Sequence, residues 1–138
     1  MKKRTLGVAA LSIALLAGCS SADSEKQKNL EIAATNRAAL LSSELPLEYG
    51  PLHILRANSK GSMIEMMMVY NTDAEGAKPI RQVLSSSEMA FCHDKTIIEN
   101  LTAGITYRIK MRNSRGKLMV DQVINTNTCD ALLRAKSD

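Results

Sequence analysis

The chain has 138 residues, 45% hydrophobic and 23% charged, with a formal net charge of +4. Lys2, Lys3 and Arg4 account for three of its 18 basic side chains; without them 15 basic residues face 14 acidic ones, a balance of +1 that gives no argument for a nucleic-acid partner. Aromatic residues make up only 3%, with no Trp, which disfavours stacking platforms for bases or sugars.

The three N-terminal cations precede a mostly apolar run, Leu6 to Leu16, that is too short to cross a bilayer and is flanked as a signal peptide is. The run closes on Leu16-Ala17-Gly18-Cys19, which looks like a bacterial lipobox, where the chain is cut before the cysteine and diacylglycerol is attached to its sulfur. The thiol is needed for the thioether, and small residues let the peptidase reach an extended backbone. The plainer alternative is an ordinary signal peptide with an incidental cysteine at its end. On the lipobox reading, residues 1–18 are a removable signal, and the mature chain starts at Cys19 with 138 − 18 = 120 residues, enough for one core. Its lipid would anchor it to a membrane without spanning. Ser20, rather than Asp, follows the cysteine, which resembles an outer-membrane address by the sorting rule of Gram-negative lipoproteins. The compartment is then the periplasm, which permits disulfides.

Residues 19–29 read as a solvated tether of Ser, Asp, Glu, Lys and Gln, and residues 30–138 as the domain. From Leu30 to Leu45 apolar residues recur at helical spacing, with Arg37 interrupting the face and predicted to snorkel; Pro46 and Gly50-Pro51 turn the chain. Leu52 to Ala57 and Met63 to Tyr70 read as strands joined by a turn at Asn58-Ser59-Lys60-Gly61. After a polar loop, Pro79 opens a helix whose stripe is Ile80, Val83, Leu84, Ser87 and Phe91, with Cys92 at its end; Asp94 caps a second, stopped by Gly104. Ile105, Tyr107, Ile109 and Met111 alternate with polar residues as in a half-buried strand. Asn113-Ser114-Arg115-Gly116 turns into a return strand, Leu118 to Ile124. The ordered part is expected to end at Cys129, with Ala131 to Asp138 a last helical turn or frayed. The expected fold is α+β, a single domain with an antiparallel sheet of four to five strands flanked by helices.

Cys19 being taken by lipid, Cys92 and Cys129 remain as two thiols in an oxidising compartment and are expected to pair, with free thiols or a metal pair as alternatives. A zinc site would need more ligands than His53 and His93 supply. Cys92-His93 is a poor thiol–imidazole dyad, because sequence neighbours on a helix rarely face each other. Ser85-Ser86-Ser87 lacks nucleophile-elbow glycines, and no phosphate loop or carboxylate pair occurs. Asn100-Leu101-Thr102 fits a glycosylation pattern with no meaning in a bacterial periplasm. No cofactor, metal, small-molecule substrate or enzymatic activity is expected. The oddest stretch is Met63 to Tyr70, apolar on both faces of a strand. Either both faces are core, or Met63, Met67 and Val69 join Met119 and Val123 in an open, adaptable patch for a partner helix.

The lipobox, tether and first helix, together with Met89-Ala90-Phe91-Cys92-His93-Asp94, Leu101-Thr102-Ala103-Gly104-Ile105-Thr106-Tyr107-Arg108-Ile109 and Asn127-Thr128-Cys129, resemble the AspS (GspS-beta) type of type II secretion pilotin over nearly all of the mature chain. Met63 and Met67 depart from it, standing where the family pattern has polar residues. The resemblance implies a five-stranded sheet flanked by helices and braced by one disulfide, so a fifth strand is expected near Leu45–Tyr49 or beyond Ile124. It implies a lipoprotein on the periplasmic face of the outer membrane that binds the C-terminal segment of a secretin subunit and carries it there for ring assembly. On that reading Cys19 takes the lipid, Cys92 and Cys129 form the brace, and Met63, Met67, Val69, Met119 and Val123 form the groove. The alternative is another outer-membrane lipoprotein, a structural or inhibitory binding module in the periplasm.

Overall fold

The computed structural model describes residues 19–137; the signal segment expected over residues 1–18 lies outside the described residues. The elements are α1 (Cys19–Glu44), β1 (Leu47–Tyr49), β2 (Leu52–Lys60), β3 (Met63–Tyr70), α2 (Ile80–His93), α3 (Lys95–Ala103), β4 (Thr106–Asn113), β5 (Leu118–Ile124) and α4 (Thr126–Ala135). The five strands form one sheet in the order β1-β2-β3-β4-β5. The expected fifth strand is β1, in the Leu45–Tyr49 region. Four helices, the single domain and a Cys92–Cys129 disulfide complete the α+β architecture.

The sheet is mixed rather than wholly antiparallel. β3 and β4 run parallel, Met63 opposite Thr106 and Tyr70 opposite Asn113. The reason is topological: α2 and α3 carry the chain back along the sheet between the two strands, and only a crossover of that length can join parallel neighbours. Period two is the same for either direction, so alternation alone does not reveal it. The β2–β3 turn is also tighter than expected. β2 continues through Lys60, which pairs with Met63, leaving Gly61-Ser62 as a two-residue connection with Gly61 at φ +59°.

All the deeply buried strand residues point to one face. Ile64, Met66, Met68 and Tyr70 of β3 are buried, as are Tyr107, Ile109 and Met111 of β4 and Val120 and Ile124 of β5. Among the described residues, helices cover this face alone. α1 packs along β2, where Ala34 and Ala38 are small enough to bring the backbones close. β1 pairs only with Leu52 to Ile54, so the outer edge of β2 beyond it needs other partners. α1 supplies them: Ser42 Oγ donates to the Ala57 carbonyl at 2.6 Å, and the Thr35 and Ser59 hydroxyls lie 3.0 Å apart.

Two boundaries differ from the sequence reading. α1 begins at Cys19, so the expected tether is helical, though residues 21–29 are exposed as a tether would be. Lys, Glu, Gln and Ala are adequate helix formers, and a helix nucleated by the packed half propagates through them. α4 is a full helix containing Cys129, started by a capping box in which the Asn125 side chain accepts from Thr128 N–H at 2.9 Å. The disulfide therefore ties α2 to α4 rather than to the end of a strand. Asp94 does cap α3, accepting from Ile97 N–H at 2.9 Å, and Gly104 ends it at φ +111° with Leu30 packed against it.

Arg37 is only half exposed. Its side chain borders a cavity of about 40 Å³ with Leu41, Met66, Phe91, Ile97 and Tyr107, and its buried Nε has no hydrogen-bond partner among the described residues. An unpaired buried donor costs about 1–3 kcal/mol. Arg37→Met should therefore raise stability by roughly 1 kcal/mol, read as a higher urea midpoint at unchanged slope; a lower midpoint would contradict this account of the site.

Candidate functional site

Two surfaces are open to a partner: a cleft on the helical side of the sheet and the uncovered face behind it. The cleft encloses about 590 Å³. Its floor is Leu52 and Ile54 of β2 with Met68 and Tyr70 of β3. One wall is α2, through Val83, Ser86, Ser87, Ala90 and Phe91. The other is the β1–β2 edge, through Tyr49 and Pro51, and Gly76 and Lys78 stand at the end.

The cleft exists because α2 is held toward one side. Its packing partners are α3, α4 and β5, and its C-terminal end is fixed by the disulfide to α4. α1 lies against β2 and β3. Between them the stripe of α2 does not close onto the sheet, and Ile80, Val83, Leu84 and Phe91 stay half-buried. Phe91 is set by an edge-to-face contact with Tyr107, centroids 5.5 Å apart. The Tyr107 hydroxyl in turn accepts from Asn100 Nδ2 at 2.7 Å. Tyr70 shapes the end of the cleft. Its hydroxyl accepts from Lys78 N–H at 2.6 Å and donates to the Lys78 carbonyl at 3.0 Å, pinning the β3–α2 connection over the last residue of β3. Ser87 Oγ donates to the Val83 carbonyl at 2.9 Å, so its proton is used within the helix. Lys78 is the one charged side chain in the lining. The site is thus concave, mostly apolar and edged by a cation, suited to holding an apolar side-chain row rather than to bond chemistry.

The residues chosen from the sequence for the groove lie elsewhere. Met63, Met67 and Val69 are half-buried on the uncovered face of β3, while Met119 and Val123 are each 37% exposed on β5. β4 runs between them and lifts Arg108, Lys110 and Arg112 into the gap, Arg108 opposite Val123 and Lys110 opposite Met67. The five are on one side of the sheet, but a cationic row divides them. Met119 falls where the β4–β5 register shifts, Met111 pairing Val120 and Arg112 pairing Leu118. Arg108 forms a two-point contact with Asp121, Nε to Oδ1 at 2.6 Å and Nη2 to Oδ2 at 2.7 Å, and Lys110 Nζ lies 3.3 Å from Glu65. Hydrogen bonding from Arg108 holds the Asp121 carboxyl below the usual carboxylate range despite some desolvation, and the same bond raises the Arg108 guanidinium. A depressed carboxyl favours folding above its unfolded pKa, and that contribution is lost as pH falls through the folded value.

The other sequence candidates are apart. His53 Nδ1 lies 3.3 Å from Glu48 across β1–β2, His93 Nδ1 is 2.8 Å from the Met89 carbonyl, and Cys92 is in the disulfide. Sequence alone puts Val83 and Phe91 in a helix stripe, Tyr49 in the region of a fifth strand and Pro51 in a turn, and gives none of them a binding role. The only signal for the cleft was that α2 carries Ser87 within its apolar stripe and Ala90 beside it, too little side chain to fill the space below.

A sequence model of the family described as type II secretion system (T2SS) pilotin, S protein, matches residues 26–129. The structure of the type II secretion system pilotin AspS from Vibrio cholerae is similar at 61% identity and a TM-score of 0.74, covering 78% of this chain and 99% of that one. The type 2 secretion pilotin EpsS of Vibrio vulnificus is similar at 48% identity and a TM-score of 0.73, covering 77% and 96%. Pilotin AspS 2 of Escherichia coli O78:H11 (strain H10407 / ETEC) is 26% identical over 115 residues, 83% of this chain and 82% of that one.

Tyr70→Phe removes both hydrogen bonds to Lys78 and should lower stability by about 1–2 kcal/mol in urea unfolding. An unchanged midpoint would show that the β3–α2 connection is held by something else.

Proposed function

The chain belongs to the type II secretion system pilotin (S protein) family, and we propose that it is a lipid-anchored pilotin that takes the C-terminal helix of a secretin subunit into the cleft beneath α2. The observation that supports this reading is the cleft itself, an open apolar trough of about 590 Å³ in a chain that matches the family over residues 26–129. An amphipathic helix lays side chains at i, i+3 or i+4 and i+7 into such a trough. A secretin tail that is disordered when free would fold as it docks, so its ordering entropy falls due at capture. No covalent step is involved, and we assign the protein no enzymatic role.

The lipid supplies direction. Diacylglycerol on Cys19, with acyl chains worth about 0.8 kcal/mol per buried methylene, would hold the complex on the periplasmic face of the outer membrane. Capture and anchoring are then two linked events, and each secretin subunit gains a membrane address it lacks. The family match weighs against the alternative of an unrelated structural or inhibitory lipoprotein.

Replacing Cys19 by Ala should leave secretin multimers unable to reach the outer membrane, as read by membrane fractionation; multimers there in normal amount would refute the anchor. The site is tested by isothermal calorimetry with a secretin C-terminal peptide. Ala90→Trp, which fills the cleft from an exposed position on α2, should weaken binding at least tenfold, while Met67→Asp on the uncovered face leaves it intact. The reverse pattern would move the binding site to the methionine face.

A further inference from the structure

The sheet face that no helix covers has its own composition. Strand pairing puts Arg56 opposite Met67 and Lys60 opposite Met63 on β2, then Arg108, Lys110 and Arg112 opposite Glu65, Met67 and Val69 on β4. Glu65 and Asp121 are acidic members, and so is Glu48 of β1, which stands opposite His53 and through it Val69. Five cations therefore share the face with three anions; Glu65 and Asp121 are engaged by Arg108 and Lys110, and Glu48 lies 3.3 Å from His53 at the far edge. Arg112 Nη1 donates to the Gly116 carbonyl at 2.8 Å. Arg56 and Lys60 have no carboxylate within ion-pair distance among the described residues, and both are exposed. Met63, Met67 and Val69 stand half-buried between these charges, and Val123 is exposed at the edge.

The direction of α1 gives this face a neighbour. Ser42 bonds to Ala57, Thr35 meets Ser59, and Glu31 lies by Gly61, so toward its N-terminus α1 runs to the β2–β3 turn and past it. Cys19 is eleven helical residues beyond Leu30, roughly 16 Å further on. The end of the sheet that carries Lys60 and Met63 is thus the end nearest the anchoring cysteine. The cleft is on the other side of the sheet, toward the far ends of β2 and β3 at Leu52 and Tyr70.

We propose that the uncovered face rests on the anionic phospholipid surface of the membrane that holds Cys19. The proposal rests on the lipid anchor and is independent of what fills the cleft. Charge complementarity selects the occupant: an excess of Arg and Lys over carboxylates, with scattered apolar side chains among them, fits a headgroup layer of negative charge. The face offers an apolar partner helix no continuous row, because β4 divides its apolar residues. Each cation contributes little alone, but an anchor in the same chain keeps the face at high effective concentration against the lipid. Docked this way, the domain turns its helical side and the cleft away from the membrane, open to an incoming chain.

The test uses the lipidated protein in vesicles of phosphatidylcholine alone or mixed with phosphatidylglycerol, treated with an amine-reactive reagent and read by mass spectrometry. Lys60 and Lys110 should be modified several-fold more slowly on the mixed vesicles at low salt, and the protection should vanish in high salt and in an Arg56→Glu/Lys60→Glu variant read at Lys110. Lys95 on α3 and Lys136 after α4 serve as controls and should not change. Equal labelling on both vesicles, or equal protection of all four lysines, overturns the proposal. So does protection that appears only when a secretin C-terminal peptide is added, which would make the face a protein interface. Flotation with the neutral vesicles separately tests the anchor, so a failure there is distinguishable from a failure of the face.

Discussion

The Cys92–Cys129 disulfide joins α2 to α4 across 37 residues of chain, with both cysteines buried in the core. α2 leans on α3, α4 and β5 and its half-buried stripe borders the core, but Val83 and Phe91 also line the open cleft above β2 and β3. A helix in that position has an incentive to collapse onto the sheet or to peel from it. Closing a loop of this length is worth about 3–4 kcal/mol in the chain-entropy model, a large share of the roughly 5–15 kcal/mol that a domain commands. The bond fixes the C-terminal end of α2 away from β2, and Tyr70 fixes the connection that leads into its N-terminal end. Between these two points the cleft stays open.

The crossover that makes β3 and β4 parallel puts α2 and α3 on the side of the sheet where α1 and α4 also pack. The two sides then diverge in character. The helical side carries the core and a deep apolar trough with Lys78 at its end. The other side carries ion pairs, spare cations and methionines at half exposure. α1 seals the outer edge of β2 with hydroxyl contacts and extends back to Cys19. One small domain thereby separates an open apolar trough from a cation-bearing face.

Much of this was readable from the residues. The alternation of Ile105, Tyr107, Ile109 and Met111 gave β4 its face, and Pro79, Asp94 and Gly104 marked the helix ends that the structure shows. The pairing of Cys92 with Cys129 followed from compartment and count. What failed did so for physical reasons. Alternation has one period for parallel and antiparallel strands, so the direction of β4 against β3 was invisible. α4 was undervalued because its start is polar, although Asn125 and Thr128 form a capping box. The helical extent of α1 depends on nucleation by its packed half, which composition over residues 19–29 does not reveal. The methionine patch is a separate matter: its residues share one side of the sheet, with the β4 cations between them. The cleft arises from contacts that α2 does not make, and no local pattern encodes a missing contact.

The central claim is that a disulfide-held α2 keeps an apolar trough open for a partner helix. Chemical-shift mapping of the isotopically labelled, oxidised protein titrated with a secretin C-terminal peptide tests it most directly. The account predicts shifts concentrated at Tyr49 to Ile54 and Val83 to Phe91, with β4 and β5 nearly silent. Shifts concentrated on Arg108 to Arg112 and Met119 to Val123, with α2 unmoved, would contradict it.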